Sequence, residues 1–153
     1  MSQFDVVDNC LNIGGTSLTA LAEKIGHTPF YAYDHKVIDA QVAKARQSLP
    51  SELHLHYAIK ANPMPQVVKH LAAMTDGLDV ASAAELEVAL TTGIDPSMIS
   101  FAGPGKSSAD LTAAARAGVI INMESEGEME RIAIIGQGMD TRPRVSIRVN
   151  PDF

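Results

Sequence analysis

Lys60 ends a short alternating run, His54-Leu55-His56-Tyr57-Ala58-Ile59-Lys60, and Ala61-Asn62-Pro63 stops it. On a strand, Leu55, Tyr57 and Ile59 share one face while His56, Ala58 and Lys60 share the other. The pattern sets an amine on a small or polar face at a strand's C-terminal end. In a β/α barrel that end is where side chains meet substrate. A lysine amine in such a place can form a Schiff base with a carbonyl cofactor once burial or nearby charge lowers its pKa. Asp79 and Arg148 hold equivalent places on two later strands. Three ionisable groups of mixed sign at one end of three strands point to a site rather than to scattered surface charges. Glu85 completes a capping box with Ser82, a structural role that would account for it without any chemistry.

Two other motifs lead elsewhere. Gly103-Pro104-Gly105-Lys106-Ser107 resembles a phosphate loop between strand and helix. A nucleotide-binding P-loop needs a glycine five residues before Gly105, where Ser100 stands. No apolar strand ending in aspartate follows, since Val119-Ile120-Ile121-Asn122-Met123 ends otherwise. What remains is weak anion binding through the loop backbone and Lys106. His54 and His56 form a His-x-His pair of the kind that holds metals on a barrel strand. His56 precedes Lys60 by four residues, ~13 Å along a strand, which puts the pair at the wrong end. They are expected as core or edge histidines, with no metal site.

These residues need elements to position them. The spacing predicts a helix over 18–25, capped by Ser17 or Thr16 and stopped by Gly26. A short strand is expected over 29–33 and a helix over 36–49, with Val37, Ile38, Val42, Ala45 and Leu49 on one stripe. The lysine strand follows. Pro65 opens the next helix, as proline suits a first helical turn. Strands are expected over 78–81, 98–102, 119–123 and 145–150. The helices between them start at Ser82, at Ser107 or Ser108, and at Ser125, where Ser125 to Glu128 is a second capping box. Gly93 and Gly118 read as helix stops.

Five strand–helix units of roughly 20–28 residues imply a parallel α/β sheet. It could be an open doubly wound sheet or an arc of a closed (β/α)8 barrel. An open parallel sheet is covered on both faces, so its strands read as near-continuous apolar runs. Here Ile99 and Phe101 oppose Ser100 and Ala102, and Val145, Ile147 and Val149 oppose Ser146, Arg148 and Asn150. One apolar and one small or polar face fits the barrel. A full barrel needs about 250 residues. The 153 residues are therefore expected to be the N-terminal part of a TIM barrel, with about five strands.

Bulk properties narrow the class further. Hydrophobic residues make up 46% and charged residues 20%, which excludes a disordered chain. A net charge of −6 argues against nucleic-acid and anionic-membrane surfaces. Cys10 is the single cysteine, so no intrachain disulfide can form, which suits a reducing compartment. The first residues lack a basic and an apolar signal segment, and no apolar run approaches the ~18 residues of a membrane span. A cytoplasmic protein is the expectation.

Tyr57-Ala58-Ile59-Lys60-Ala61-Asn62 closely resembles the lysine motif of the fold-type III pyridoxal-phosphate-dependent decarboxylases, which act on ornithine, arginine, diaminopimelate and related amino acids. Thr28-Pro29-Phe30-Tyr31-Ala32-Tyr33-Asp34, Asp79 to Leu86, Phe101 to Ser107 and Arg148-Val149-Asn150-Pro151 resemble further segments of that family, in family order. The wording is most similar to the diaminopimelate decarboxylase branch. Alanine racemases share the fold, but their lysine motif continues into a Tyr-Gly-type sequence where Pro63-Met64-Pro65 stands here.

The resemblance implies decarboxylation of a diamino acid. Lys60 would hold pyridoxal 5'-phosphate, Asp79 would stabilise the cationic nitrogen there, and Arg148 would lie by the cofactor's polar edge. Glu85 would support them, and Ser82 is a further cofactor-binding candidate. It also implies a homodimer, with phosphate-binding and specificity residues on later strands and in a second, β-rich domain. Residues 1–28 would pack with that domain and 29–153 would form the partial cofactor-binding barrel. The alternatives are a non-catalytic relative of the same fold and an alanine-racemase-like enzyme.

Overall fold

The computed structural model describes residues 3–140 and 142–152. Its contacts separate two compact units, Met1–Glu52 and Leu53–Phe153. The sequence reading drew its boundary at 28/29 instead. Helix 35–48 and the segment before it thus sort with the N-terminal residues, not with the sheet.

The first unit opens with a three-stranded antiparallel meander: β1 (Asp5–Val7), β2 (Cys10–Ile13) and β3 (Thr16–Ser17). Two-residue turns join them. Asp8 and Asn9 sit at φ 50° and 59°, and Gly14 and Gly15 at 59° and 81°. Two successive positive φ values define the turn whose twist matches paired strands, and Asp, Asn and Gly are the residues that tolerate it. The sequence reading missed this meander. α1 (Leu18–Ile25) is capped by Ser17, whose Oγ accepts the Ala20 N–H, and ends at Gly26 in the left-handed region. Asp34 caps α2 (His35–Ser48) with Oδ1 on the Lys36 N–H, while Oδ2 takes the Gly14 N–H at 2.9 Å.

The strand expected over 29–33 does not form. Residues 30–34 are irregular, with Tyr31 almost fully exposed. A strand exists only through its ladder, and among the described residues this segment has no ladder partner.

The second unit is a five-stranded parallel sheet, β4 (His56–Ala58), β5 (Gly77–Val80), β6 (Ile99–Phe101), β7 (Ile120–Met123) and β8 (Arg144–Ile147), in chain order. Helices α3 (Pro65–Ala72), α4 (Ala83–Leu90), α5 (Ser108–Ala117) and α6 (Glu126–Gln137) make the crossovers. Leu78, Val80, Ile99, Phe101 and Ile121 join Val68, Leu86, Leu111, Ala114 and Ile132 in one buried cluster. The helices therefore cover the apolar face. The other face carries Ala58, Asp79, Ser100, Asn122 and Ser146, small or polar and only partly buried. This one-sided covering is the arrangement of a barrel wall with helices outside. Among the described residues β8 pairs with β7 alone, and its outward Val145 and Ile147 stand 45% and 73% exposed. No described helix is long and apolar enough to cross a membrane.

Candidate active site

Lys60 lies just beyond β4, in a 3-10 turn, Ile59–Ala61, rather than on the strand itself. The chain must turn here to enter α3, and local bonds make the turn. The Asn62 N–H donates to the Ile59 carbonyl at 3.0 Å, the Tyr57 hydroxyl donates to the Asn62 carbonyl at 3.1 Å, and the Asn62 side chain accepts the Met64 N–H. Ile59 is completely buried and anchors the turn. Lys60 is thus held by its backbone on both sides while its side chain reaches a cavity. Among the described residues no hydrogen bond or ion pair occupies its amine.

That cavity has a volume of about 300 Å³. Lys60, Asp79, Glu85 and Arg148 all line it, with Ser100 and Asn122 on its floor. Four of the five residues picked from sequence thus share one space. Ser82 is not among the lining residues; its Oγ caps α4 by accepting the Glu85 N–H. The expected capping box closes differently from its usual form. Glu85 Oε2 accepts the Ala81 N–H at 2.7 Å, so the carboxylate is fixed at the strand–helix junction.

Asp79 sits near the end of β5, opposite Ala58 in the ladder. Its Oδ1 accepts the Ser100 hydroxyl at 2.5 Å and lies 3.4 Å from His56 Nδ1. Arg148 follows β8, tied by its N–H to the Met123 carbonyl at 3.0 Å. Its Nη1 stands 3.4 Å from Glu124 Oε2. On the adjoining strands, Ser146 donates to Asn122 Oδ1 across the same face.

The loop after β6 corrects one expectation. Lys106 does not face the cavity as an anion-binding residue. Its side chain is fully buried, its Nζ donates to the Gly103 carbonyl at 2.5 Å, and it lies 3.1 Å from Glu128 Oε1 and 3.9 Å from Glu124 Oε1. A buried ammonium requires compensation of this kind, and two carboxylates and a carbonyl supply it. Glu124 then links two cavity walls, since Oε1 also accepts the Gly103 N–H at 2.6 Å while Oε2 faces Arg148. Glu128 Oε2 accepts the Glu124 N–H, repeating the Glu85–Ala81 arrangement one crossover pair later. Sequence reasoning missed Glu124. It stands just past the C-terminal end of β7, so the rule that selected Asp79 would have found it.

The site sets open space beside an amine that can add to a carbonyl group. Ala58, Ala81, Ala102 and Gly103 leave room over the sheet end, and the lysine amine beside that room is uncommitted. Gly103 has φ 123°, a backbone state that other residues rarely adopt. The arrangement is a β/α-barrel wall that gathers an amine, carboxylates and a guanidinium at the C-terminal ends of its strands.

Comparison with known proteins gives this class a family. Residues 35–153 match the model of the pyridoxal binding domain of pyridoxal-dependent decarboxylases, and the chain belongs to that family. It is 38% identical over 146 residues to the diaminopimelate decarboxylase of Aquifex aeolicus, covering 95% of this chain and 34% of that protein. The diaminopimelate decarboxylase of Pseudomonas aeruginosa is 37% identical over 154 residues, covering 99% and 37%. A crystal structure of an Aquifex aeolicus protein superposes with a TM-score of 0.88 at 35% identity, over 97% of this chain and 37% of the other. The Helicobacter pylori diaminopimelate decarboxylase complexed with L-lysine superposes with a TM-score of 0.78 at 32% identity, over 86% and 34%. The chain spans about a third of the length of the curated relatives it matches.

Proposed function

We propose that this chain forms the lysine-bearing wall of a pyridoxal-phosphate-dependent decarboxylase that acts on a diamino acid of the diaminopimelate type. The observation that carries the reading is the uncommitted Lys60 amine in a cavity shared with Asp79, Glu85 and Arg148. Bound there, pyridoxal phosphate supplies the electron sink that loss of a carboxylate as CO₂ requires.

The chain's own residues supply position and charge. The turn pinned by Ile59 and Tyr57 presents the Lys60 amine for covalent attachment. Asp79, one oxygen held by Ser100, balances positive charge at the attached nitrogen. Arg148 offers a cation to an anionic group at the cavity edge. Glu85, locked to the Ala81 N–H, adds fixed negative charge to the cavity lining. Diaminopimelate that loses one carboxylate becomes lysine, the ligand in the Helicobacter pylori complex, which supports the substrate class. Residues 1–28 pack against a β-rich second domain, and a cytoplasmic homodimer is the working form.

Reducing the full-length, cofactor-loaded protein with borohydride and mapping the labelled peptide tests the reading. Label on Lys60, together with CO₂ release from diaminopimelate, is expected. Label on a different lysine, or none, would overturn it.

A further inference from the structure

His56 is left unexplained by the reading above, and its surroundings are specific. Its Nδ1 stands 3.4 Å from Asp79 Oδ1, the same oxygen that accepts the Ser100 hydroxyl at 2.5 Å. Asp79 Oδ2 has no partner among the described residues, and Asp79 lines the cavity with Lys60, Glu85 and Arg148. The far edge of the imidazole lies over Gly77, its ladder partner. A Cβ on Gly77 would come within 2.3 Å of His56 Cε1 and 2.5 Å of Nε2. The ring is thus seated in a space that exists only because residue 77 has no side chain. With that edge fixed, Nδ1 is the nitrogen left facing the carboxylate.

We infer that His56 is a positioning residue for Asp79. His56 and Ser100 together hold Oδ1, from β4 and β6 on either side of β5, and keep Oδ2 uncommitted for the cationic nitrogen at Lys60. The inference rests on the proposed role of Lys60 and adds a residue to it. A histidine that merely filled the space over Gly77 would not need a nitrogen turned to the carboxylate. Ser100 approaches from the neighbouring strand in the register that pairs it with Asp79. Asp79 Oδ1 is therefore flanked from both neighbouring strands.

The test uses the full-length protein loaded with pyridoxal phosphate and three variants. His56→Phe keeps a ring over Gly77 but removes the nitrogen. His56→Asn keeps a donor close to the Nδ1 position. Ser100→Ala withdraws the other donor without touching the seat of the ring. The readout is the pH midpoint of the absorbance band of the lysine-bound cofactor, with thermal melting as the control for folding. An opposite charge within 4–6 Å shifts such a midpoint by one to several units, so an unanchored Asp79 should lower it by about one unit. His56→Phe and Ser100→Ala are expected to show that drop, and His56→Asn to recover at least half of it. Midpoints equal to wild type in His56→Phe and Ser100→Ala, with borohydride label still on Lys60, would overturn the role of His56 and leave the proposed function standing. Absence of Lys60 label in the wild type would overturn both.

Discussion

Lys106 Nζ and Glu128 Oε1 lie 3.1 Å apart with neither side chain more than 2% exposed. The pair joins the loop after β6 to the first turn of α6, and Arg131 donates to the Lys106 carbonyl at 2.8 Å from the same helix. Glu124, which leans on this pair, meets both Gly103 and Arg148. The cavity rim is therefore braced from beneath by charges that never see solvent.

Removing one partner leaves the other charge buried alone. Lys106→Met is expected to cost about 3–5 kcal/mol of stability. The double variant Lys106→Met, Glu128→Gln should recover part of that loss. Urea unfolding of the three proteins measures it, and a double variant no better than the single one would contradict the argument.

Gly77→Ala should destabilise for two reasons that can be separated. The new methyl would meet His56 Cε1 at 2.3 Å and the Met98 carbonyl oxygen at 2.4 Å. Overpacking of this kind costs about 1–3 kcal/mol. Trimming His56 to Ala in the same chain relieves only the first clash, so denaturant midpoints should show partial rescue. Complete rescue would mean that the backbone contact yields freely.

Asp110 gives the fold an acid-sensitive cap. The Ser107 hydroxyl, then the Ser107 N–H, hold its carboxyl below the usual carboxylate range, and the Ala83 N–H adds to them against some desolvation. Its folded pKa is lower than its unfolded value of ~3.9. The stabilisation is thus complete above that value and fades as pH falls through the folded pKa. Asp110→Asn should cost no more than about 1 kcal/mol at neutral pH, since solvent screens a partly exposed carboxylate. The gap between variant and wild type should close in strong acid, as urea titrations at several pH values would show.

Asp79→Ala in the full-length protein should lower turnover by about 100-fold or more, the scale of a lost positioned charge or proton group. Asp79 is only partly buried, so melting should move by no more than about 4 °C. Parallel losses of activity and melting temperature would make Asp79 a structural ion-pair partner instead.

The five-strand order and the four crossovers were legible because each crossover carries its own punctuation. Ser82, Ser107 and Ser125 do cap helices, and Gly118 does close one in the left-handed region. Strand-end position and alternation place Lys60, Asp79 and Arg148 on one face, and the capping box places Glu85 at the start of α4, which is how the sequence brought these four to one cavity. The β1–β3 meander was not seen, although Asp8-Asn9 and Gly14-Gly15 are turn pairs, because strands of two to four residues carry too little alternation. Lys106 was read outward from its loop composition. Its inward course depends on Glu124 and Glu128, some twenty residues further on, and no local pattern encodes such a partner. The strand expected at 29–33 has the right residue types without a described ladder partner.

Expressed as residues 1–153 alone, the polypeptide should self-associate and release no CO₂ from diaminopimelate. β8 offers a one-sided edge with Ile147 largely exposed, and such edges recruit other chains. A charge at the edge discourages pairing, so Ile147→Lys should reduce the particle size seen by light scattering. A monodisperse monomer before substitution would contradict this.

The register of the sheet also bears on how the polypeptide emerges from the ribosome. Ala58 meets Asp79, Asp79 meets Ser100, and Ser100 meets Ile120. Each ladder of the parallel sheet closes a loop of roughly 20–24 residues, a separation at which closure entropy is modest. Each new strand finds its partner already made, as the strand synthesised just before it. The nascent chain can therefore zip forward one unit at a time, and β4, which carries the reactive lysine at its end, is the template on which the rest is laid.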